Sequence, residues 1–186
     1  EFGLLLKALE ELGKSKTLDV LVMFSGKKGN FIAGADIKLI QAARSAEEAA
    51  ALSAQGQELL NRWEDLPFPR VVAVDGTCLG GGFEWSLASS AIVMSNGDSA
   101  KVGLPEVMLG ILPGMGGCLR LPRKVGLATS LDMMLTGKTL SGEKAFKAGV
   151  AEACLPKENF RQNVLDWVTR NLADLKAGKR IAKDPK

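Results

Sequence analysis

Histidine is absent from all 186 residues. That absence removes Ser-His-Asp and Cys-His nucleophile systems and every histidine metal ligand, so acid–base work falls to carboxylates, lysines or cysteines. Cysteine is scarce: Cys78, Cys118 and Cys154 are odd in number and lack CxxC spacing, which suggests neither a disulfide framework nor a zinc site and points to an intracellular protein. No apolar run approaches the roughly 18 residues of a membrane span, and there is no secretory signal. The chain begins Glu1-Phe2-Gly3, without a methionine. A basic body is also missing. Of the formal charge of +3, the segment from Lys176 to Lys186 carries +4 and the remainder −1, with no interleaved aromatics. The excess reads as a solvated tail or linker, not as a nucleic-acid or anionic-membrane surface.

What is present is ordinary globular composition, 46% hydrophobic and 24% charged, in a chain long enough for one sizeable core. Leu4, Leu5, Ala8, Leu9 and Leu12 follow helical spacing, with Gly13 as a stop. "LDVLVMFSG" reads as a buried strand ending at Gly26, "KKGN" as a loop and "FIAGADIKLI" as an irregular segment leading into a helix. Ser45 and Glu48 fit a capping box for a long helix with Leu52, Leu59, Leu60 and Trp63 on one face, ended by the prolines of "LPFPR". "VVAVDG" lacks polar alternation, as a parallel strand covered on both faces does, and "AIVMS" reads as the next strand before a turn at Asn96-Gly97. Residues 107–150 read as short helices punctuated by glycines, and Phe160, Val164, Val168, Leu172 and Leu175 stripe a last helix. Strand–helix alternation without an internal repeat means an α/β fold. One domain is expected over 1–175, followed by a basic tail over 176–186. Trp63, Trp85 and Trp167 are assigned to packing, and Cys118 to a small buried core position in preference to a nucleophile.

Three stretches can carry chemistry. "GTCLGGGFEWS", residues 76–86, follows a strand and opens a helix, but it has no Gly-x-Gly-x-x-Gly spacing, and "GMGGCLR" lacks the Lys-Ser/Thr of a phosphate loop. A glycine-lined turn at a helix start still presents main-chain N–H groups at a positive terminus, where a developing oxyanion can be held. In "FIAGADI", residues 31–37, Gly34 permits a kink that presents the N–H of Ala35. In "VGLPEVMLGILPGMGG", Glu106 sits between Pro105 and an apolar stretch, where desolvation raises a carboxyl pKa toward neutrality. Taken singly, Glu84 reads more simply as a helix N-terminal charge and "FIAGADI" as a plain loop; together, two glutamates and two N–H sites can form one site.

"FIAGADI", "GTCLGGGFE", "GLPEVMLGILPGMGG" and "LRLPRKVG", in this order, resemble the crotonase, or enoyl-CoA hydratase/isomerase, superfamily. The resemblance covers nearly the whole chain from about Leu18. The spacing of Glu84 and Glu106, with "NFIAGADI" and "GLPEV", looks most like the hydratase part of multifunctional fatty-acid oxidation alpha subunits. The resemblance implies stacked ββα units around a parallel sheet core flanked by helices. It also implies hydration of trans-2-enoyl-CoA in β-oxidation, with Glu84 and Glu106 handling water and proton and the N–H groups of Ala35 and Gly81 forming an oxyanion hole. Ala33, Gly34, Ala35, Asp36 and Ile37 are then expected to line the adenine pocket of coenzyme A, with Lys38 a contact for its phosphates. No cofactor is implied for this domain, since coenzyme A is part of the substrate, and no metal. The resemblance further implies an oligomer or a complex with a thiolase subunit, in the bacterial cytoplasm or, in a eukaryote, the mitochondrial matrix.

Family members begin with a strand that would precede Glu1, so an uncovered sheet edge is expected. The missing methionine and the basic tail suggest an excerpt that continues into an NAD-dependent 3-hydroxyacyl-CoA dehydrogenase. "GGCLRLPR" places Cys118 and Leu119 where many relatives have polar residues, and "FEWS" puts bulky Phe83 and Trp85 beside the acid, which bears on substrate length. Two readings stand beside hydration: a delta-isomerase of the same fold, which needs only one glutamate, and a catalytically silent acyl-CoA-binding or scaffold subunit.

Overall fold

The computed structural model describes residues 2–34 and 43–179. Strands alternate between two four-stranded sheets. β1 (Leu21–Phe24), β3 (Arg70–Val74), β5 (Ala91–Ser95) and β8 (Ala153–Leu155) form the first in the order β1-β3-β5-β8, parallel throughout. β2 (Gly29–Ile32), β4 (Gly76–Leu79), β6 (Lys101–Gly103) and β7 (Thr139–Ser141) form the second, parallel except for the β6–β7 pair. A strand of the first sheet is followed by one of the second and then, after β4, by a helix, which is the ββα repeat the resemblance implied. Asp75 alone separates β3 from β4, and its carboxylate accepts a bond from Ser95 Oγ at the end of β5.

The parallel strands alternate their side chains between two apolar layers, as a period of two requires. Val72, Val74, Ile92 and Met94 face the main core with Phe83, Leu104, Leu121 and Met133. Val71, Ala73, Ala91 and Val93 face Phe160, Val164, Trp167 and Val168 of the last helix, α7 (Phe160–Lys176), which follows α5 (Leu127–Thr136) and α6 (Gly142–Ala148). Between these layers, β3 and β5 are buried at every position, as their unbroken apolar runs predict. A third cluster joins α1 (Phe2–Ser15) to α2 (Ala46–Glu64), where Phe2, Trp63 and Trp85 meet ring to ring.

Several sequence expectations need correction. Helix α1 buries Leu6, Leu9 and Gly13, while Leu4, Leu5 and Leu12 are exposed, because only one narrow stripe meets α2. Gly13 does not end the helix; a Cβ there would lie 2.7 Å from Pro67 Cγ, so the glycine lets α1 approach the loop after α2. β1 is half-buried, not buried, since it ends the sheet order. Phe31 and Ile32 belong to β2, and β4 intervenes within the glycine stretch; both strands are too short for periodicity to register. Ser45 accepts the Glu48 N–H as a cap should, but Glu48 returns its bond to the N–H of Arg44. Leu52 is exposed at the end of α2 far from Trp63. Phe83 lies in the main core and Trp85 against Phe2 and Trp63, so both bulky neighbours of Glu84 serve packing. Among the described residues no helix is long and apolar enough to cross a membrane.

Gly82, in the first turn of α3 (Gly81–Leu87), shows how tightly this helix is seated: a Cβ would stand 2.3 Å from Ile32 O and 2.6 Å from Ile32 Cβ of β2. Replacing an interior helix glycine by alanine favours a helix by about 1 kcal/mol. Overlap with a neighbouring backbone costs about 1–3 kcal/mol or more. Overlap wins, so Gly82→Ala is expected to lower the urea unfolding midpoint; a raised midpoint would show that α3 can shift freely.

Candidate active site

The site is assembled where the second sheet ends. β4 gives way at Gly80, whose φ of +53° belongs to the left-handed region that side chains rarely adopt, and whose N–H donates to Gly103 O at 3.0 Å. A Cβ on Gly80 would lie 2.9 Å from Glu106 Oε1 and 3.7 Å from the Cα of Gly34, so the bare backbone lets these three segments meet. Gly81 then opens α3. The N–H groups of Phe83 and Glu84 donate to Gly80 O, whereas those of Gly81 and Gly82 have no acceptor within the helix.

Glu84 stands one turn into α3 and is 1% exposed. Its Oε1 accepts two main-chain hydrogen bonds, from Met115 and from Gly117, each at 2.8 Å. Burial raises its pKa; the N–H groups of Gly117 and Met115 and the charge of Arg120 oppose that rise. The donors lie in the turn before α4 (Gly117–Val125), where Gly116 has a φ of +106°. Helix α2 supports this turn from the other side. Gln57 donates to Gly114 O, and the Met115 side chain lies in a notch that a Cβ on Gly56 would fill, 2.7 Å from Met115 Cγ.

Glu106 enters from a short 3₁₀ helix, Pro105–Leu109, which Gly110 terminates with a left-handed cap donating to the carbonyls of Glu106 and Val107. The carboxyl is half-buried, and its Oε2 is enclosed without a hydrogen-bond partner among the described residues. Burial pushes its pKa up to about 7, opposed by its own backbone N–H and reinforced by the negative charge of Glu84. One carboxylate is therefore fixed by two donors, and its neighbour is poised to exchange a proton near neutral pH.

Of the residues expected to act, Glu84, Glu106, Gly81 and Gly34 are brought together, and Ala33 is exposed at the end of β2. Ala35, Asp36, Ile37 and Lys38 lie outside the described residues. Cys118 is exposed at the start of α4, its thiol donating to Pro113 O, so its expected core position is wrong: the second position of this helix points away from the interior. Burial of part of its surface, then Glu84 and Glu106, push the thiol pKa up, which disfavours the nucleophilic thiolate. Sequence reasoning missed the donors Met115 and Gly117 and the cation Arg120; the glycine pair of "GMGG", weighed only as a phosphate loop, was the available signal. A cavity of about 880 Å³ opens elsewhere, beside Phe24, Lys27, Lys28, Asp75, Lys157 and Arg161, and neither glutamate lines it. Chemistry and not volume identifies the site, because among the described residues only the glutamate pair combines a fixed acceptor with an acid whose pKa is raised to about 7.

The sequence model of a family described as enoyl-CoA hydratase/isomerase matches residues 4–184. The fatty acid oxidation complex subunit alpha of Vibrio vulnificus (strain CMCP6) is 51% identical over 173 residues, which cover 93% of this chain and 24% of that protein. The chain thus spans about a quarter of the length of the curated relatives it matches. Among solved structures, the enoyl-CoA hydratase of Geobacillus kaustophilus HTA426 superposes with a TM-score of 0.85 at 27% identity, covering 92% of this chain and 64% of that one. The enoyl-CoA hydratase of Bacillus anthracis gives a TM-score of 0.78 at 28% identity, over 91% and 66%.

The raised pKa of Glu106 has a consequence for stability. An acid whose folded pKa exceeds its ordinary value of 4.5 binds its proton more tightly in the folded state. Its stabilising contribution is fully present below that ordinary value and is lost as pH climbs through about 7. Glu106→Gln, which cannot ionise, should lose less stability than the parent between about pH 5 and about pH 8 in urea unfolding. Parallel pH dependences in the two proteins would contradict the assigned burial of this carboxyl.

Proposed function

This chain belongs to the enoyl-CoA hydratase/isomerase family, and on that premise we propose that it adds water to a trans-2-enoyl-CoA thioester to give 3-hydroxyacyl-CoA. The observation that carries the reading is the unequal glutamate pair: Glu84 held by two N–H donors, Glu106 half-buried with its pKa near 7 beside the glycine turn. In this mechanism Glu84 orients a water toward Cβ, and Glu106 draws a proton from it as the oxygen bonds to Cβ. The electron pair of the double bond moves toward the thioester, whose oxygen gains charge as an enolate. The proton then returns to Cα, so that H and OH are added across the double bond and both carboxyls end as they began.

The enolate oxygen needs donors already in place. The N–H of Gly81, without an acceptor in its helix, is assigned as one; the N–H of Ala35 is assigned as the other by resemblance. Each such donor contributes roughly 3 kcal/mol in a site from which water is excluded. Ala33 to Lys38 are proposed to receive the coenzyme A moiety. A delta-isomerase needs a proton shuttle but no oriented water, so the two hydrogen bonds that fix Glu84 favour hydration. The second carboxyl and its raised pKa likewise weigh against a silent binding subunit. The names of the relatives support a further proposal, that the chain is the hydratase part of a multifunctional alpha subunit. By the resemblance, it would be paired with a thiolase subunit and joined to a dehydrogenase that oxidises the 3-hydroxyacyl product.

Crotonoyl-CoA hydration, followed by loss of the conjugated thioester absorbance, is the test. Glu106→Gln and Glu84→Gln are each expected to bind acyl-CoA yet hydrate it slower by about 10²-fold or more. Parent-like rates in either variant would remove the paired-carboxylate mechanism. Gly81→Val should lose turnover while remaining folded, because a side chain there intrudes where the thioester oxygen is bound; full activity would remove Gly81 from the oxyanion hole.

A further inference from the structure

Arg120 is an unusual residue to find 9% exposed in the second turn of α4. Its guanidinium makes four hydrogen bonds in three directions. Nε and Nη2 donate to Glu64 Oε2 at 3.1 and 2.7 Å, Nη2 to Asn61 Oδ1 at 2.8 Å, and Nη1 to Met115 O at 3.2 Å. Glu64 and Asn61 belong to the last turns of α2, so the fork ties the rigid helix to the turn whose N–H groups hold Glu84. The fit is close enough that a Cβ on Gly116 would lie 2.2 Å from Nη1. Leaving residue 116 bare allows the peptide between Met115 and Gly117 to close around both the guanidinium and the carboxylate.

We propose that Arg120 is a positioning residue for the reaction: by bridging α2 to Met115 O it holds the Met115 and Gly117 N–H groups in the orientation that fixes Glu84. The inference rests on the hydration reading for its kinetic consequence, but not for its geometry. A planar fork suits three acceptors at fixed angles, which a lysine ammonium on a flexible stem cannot meet at once. The charge acts as well as the shape. Among the described residues the groups facing Glu84 are Arg120 and Cys118 from α4 and Glu106 from the 3₁₀ helix, and Arg120 is the cation among them. Glu64, which Arg120 pairs with, also faces Arg70. Removing the guanidinium should therefore raise the pKa of Glu84 further and loosen its carboxylate at the same time.

Three variants and one spectroscopic measurement test this. Arg120→Gln is expected to lower kcat for crotonoyl-CoA by about 10- to 10²-fold, with a much smaller change in KM, because misplacement of a reacting group acts on the chemical step. The acid limb of its kcat/KM profile should move to higher pH. Arg120→Lys, which keeps the charge but not the fork, should return that limb toward the parent position while kcat stays low. Glu64→Ala removes the anchor at a half-exposed side chain, so it should fold normally and lower kcat in the same direction by less. Independently of turnover, the Met115 and Gly117 amide resonances should shift in Arg120→Gln as their bonds to Glu84 loosen. A folded Arg120→Gln with parent kcat, parent pH limb and unmoved amide resonances would overturn the inference. Should Arg120→Gln fail to fold, unmoved resonances in both Arg120→Lys and Glu64→Ala would overturn it equally. A parent protein that hydrates nothing would refute the hydration reading alone, and the amide resonances would still decide the role of Arg120.

Discussion

A carboxylate buried to 1% exposure is costly unless something replaces its water, and in this protein the two N–H groups of Met115 and Gly117 do so. Much of the surrounding architecture exists to keep those donors aimed. They belong to a glycine-rich turn with little shape of its own. Helix α2 supplies it through the Gln57 bond to Gly114, the Gly56 notch for Met115, and the Asn61 and Glu64 acceptors that hold Arg120. Glu84 in turn is delivered by α3, pressed so hard on β2 that Gly82 admits no side chain. One hydrogen-bonded carboxylate thus links β2, α2, α3 and α4.

The contrast with Glu106 is the chemical point. Both carboxyls are drawn from water and both pKa values rise, yet Glu84 receives donors while Glu106 Oε2 receives none among the described residues. Donors favour the ionised form and hold it still; desolvation without donors favours the proton. The environments divide the labour between two identical side chains. An oriented acceptor and an exchangeable acid are what hydration of a conjugated thioester asks for. Gly80 belongs to the same logic, because a Cβ there would stand 2.9 Å from Glu106 Oε1 and keep the main chain away from the acid.

Exposed apolar residues follow this acid along the chain. Val107, Met108 and Leu109 on the 3₁₀ helix, with Leu112 and Leu119 on either side of the turn, are all more than a third exposed. The same outward exposure explains why Cys118 could not be placed by composition: in the first turn of α4 Cys118 and Leu119 face outward, while Arg120, the charged residue that follows, is the one buried.

The sequence by itself determined the elements whose burial is written as uninterrupted or periodic apolar pattern. The runs at 71–74 and 91–94 specify strands covered on both faces, and the stripe from Phe160 to Leu175 specifies α7. It also marked Glu84, Glu106, Gly34 and Gly81, because acids among apolar residues and glycine clusters are local signals. Four-residue strands such as β2 and β4 left no period to read, and only pairing with distant partners makes them strands. Which face of α1 is buried was decided by where α2 lies, since several leucine stripes were available and one was used. The donors to Glu84 and the burial of Arg120 were likewise beyond local pattern. Each depends on residues more than thirty positions apart in the chain, and only the packed fold brings an N–H, a carboxylate and a guanidinium to hydrogen-bonding distance.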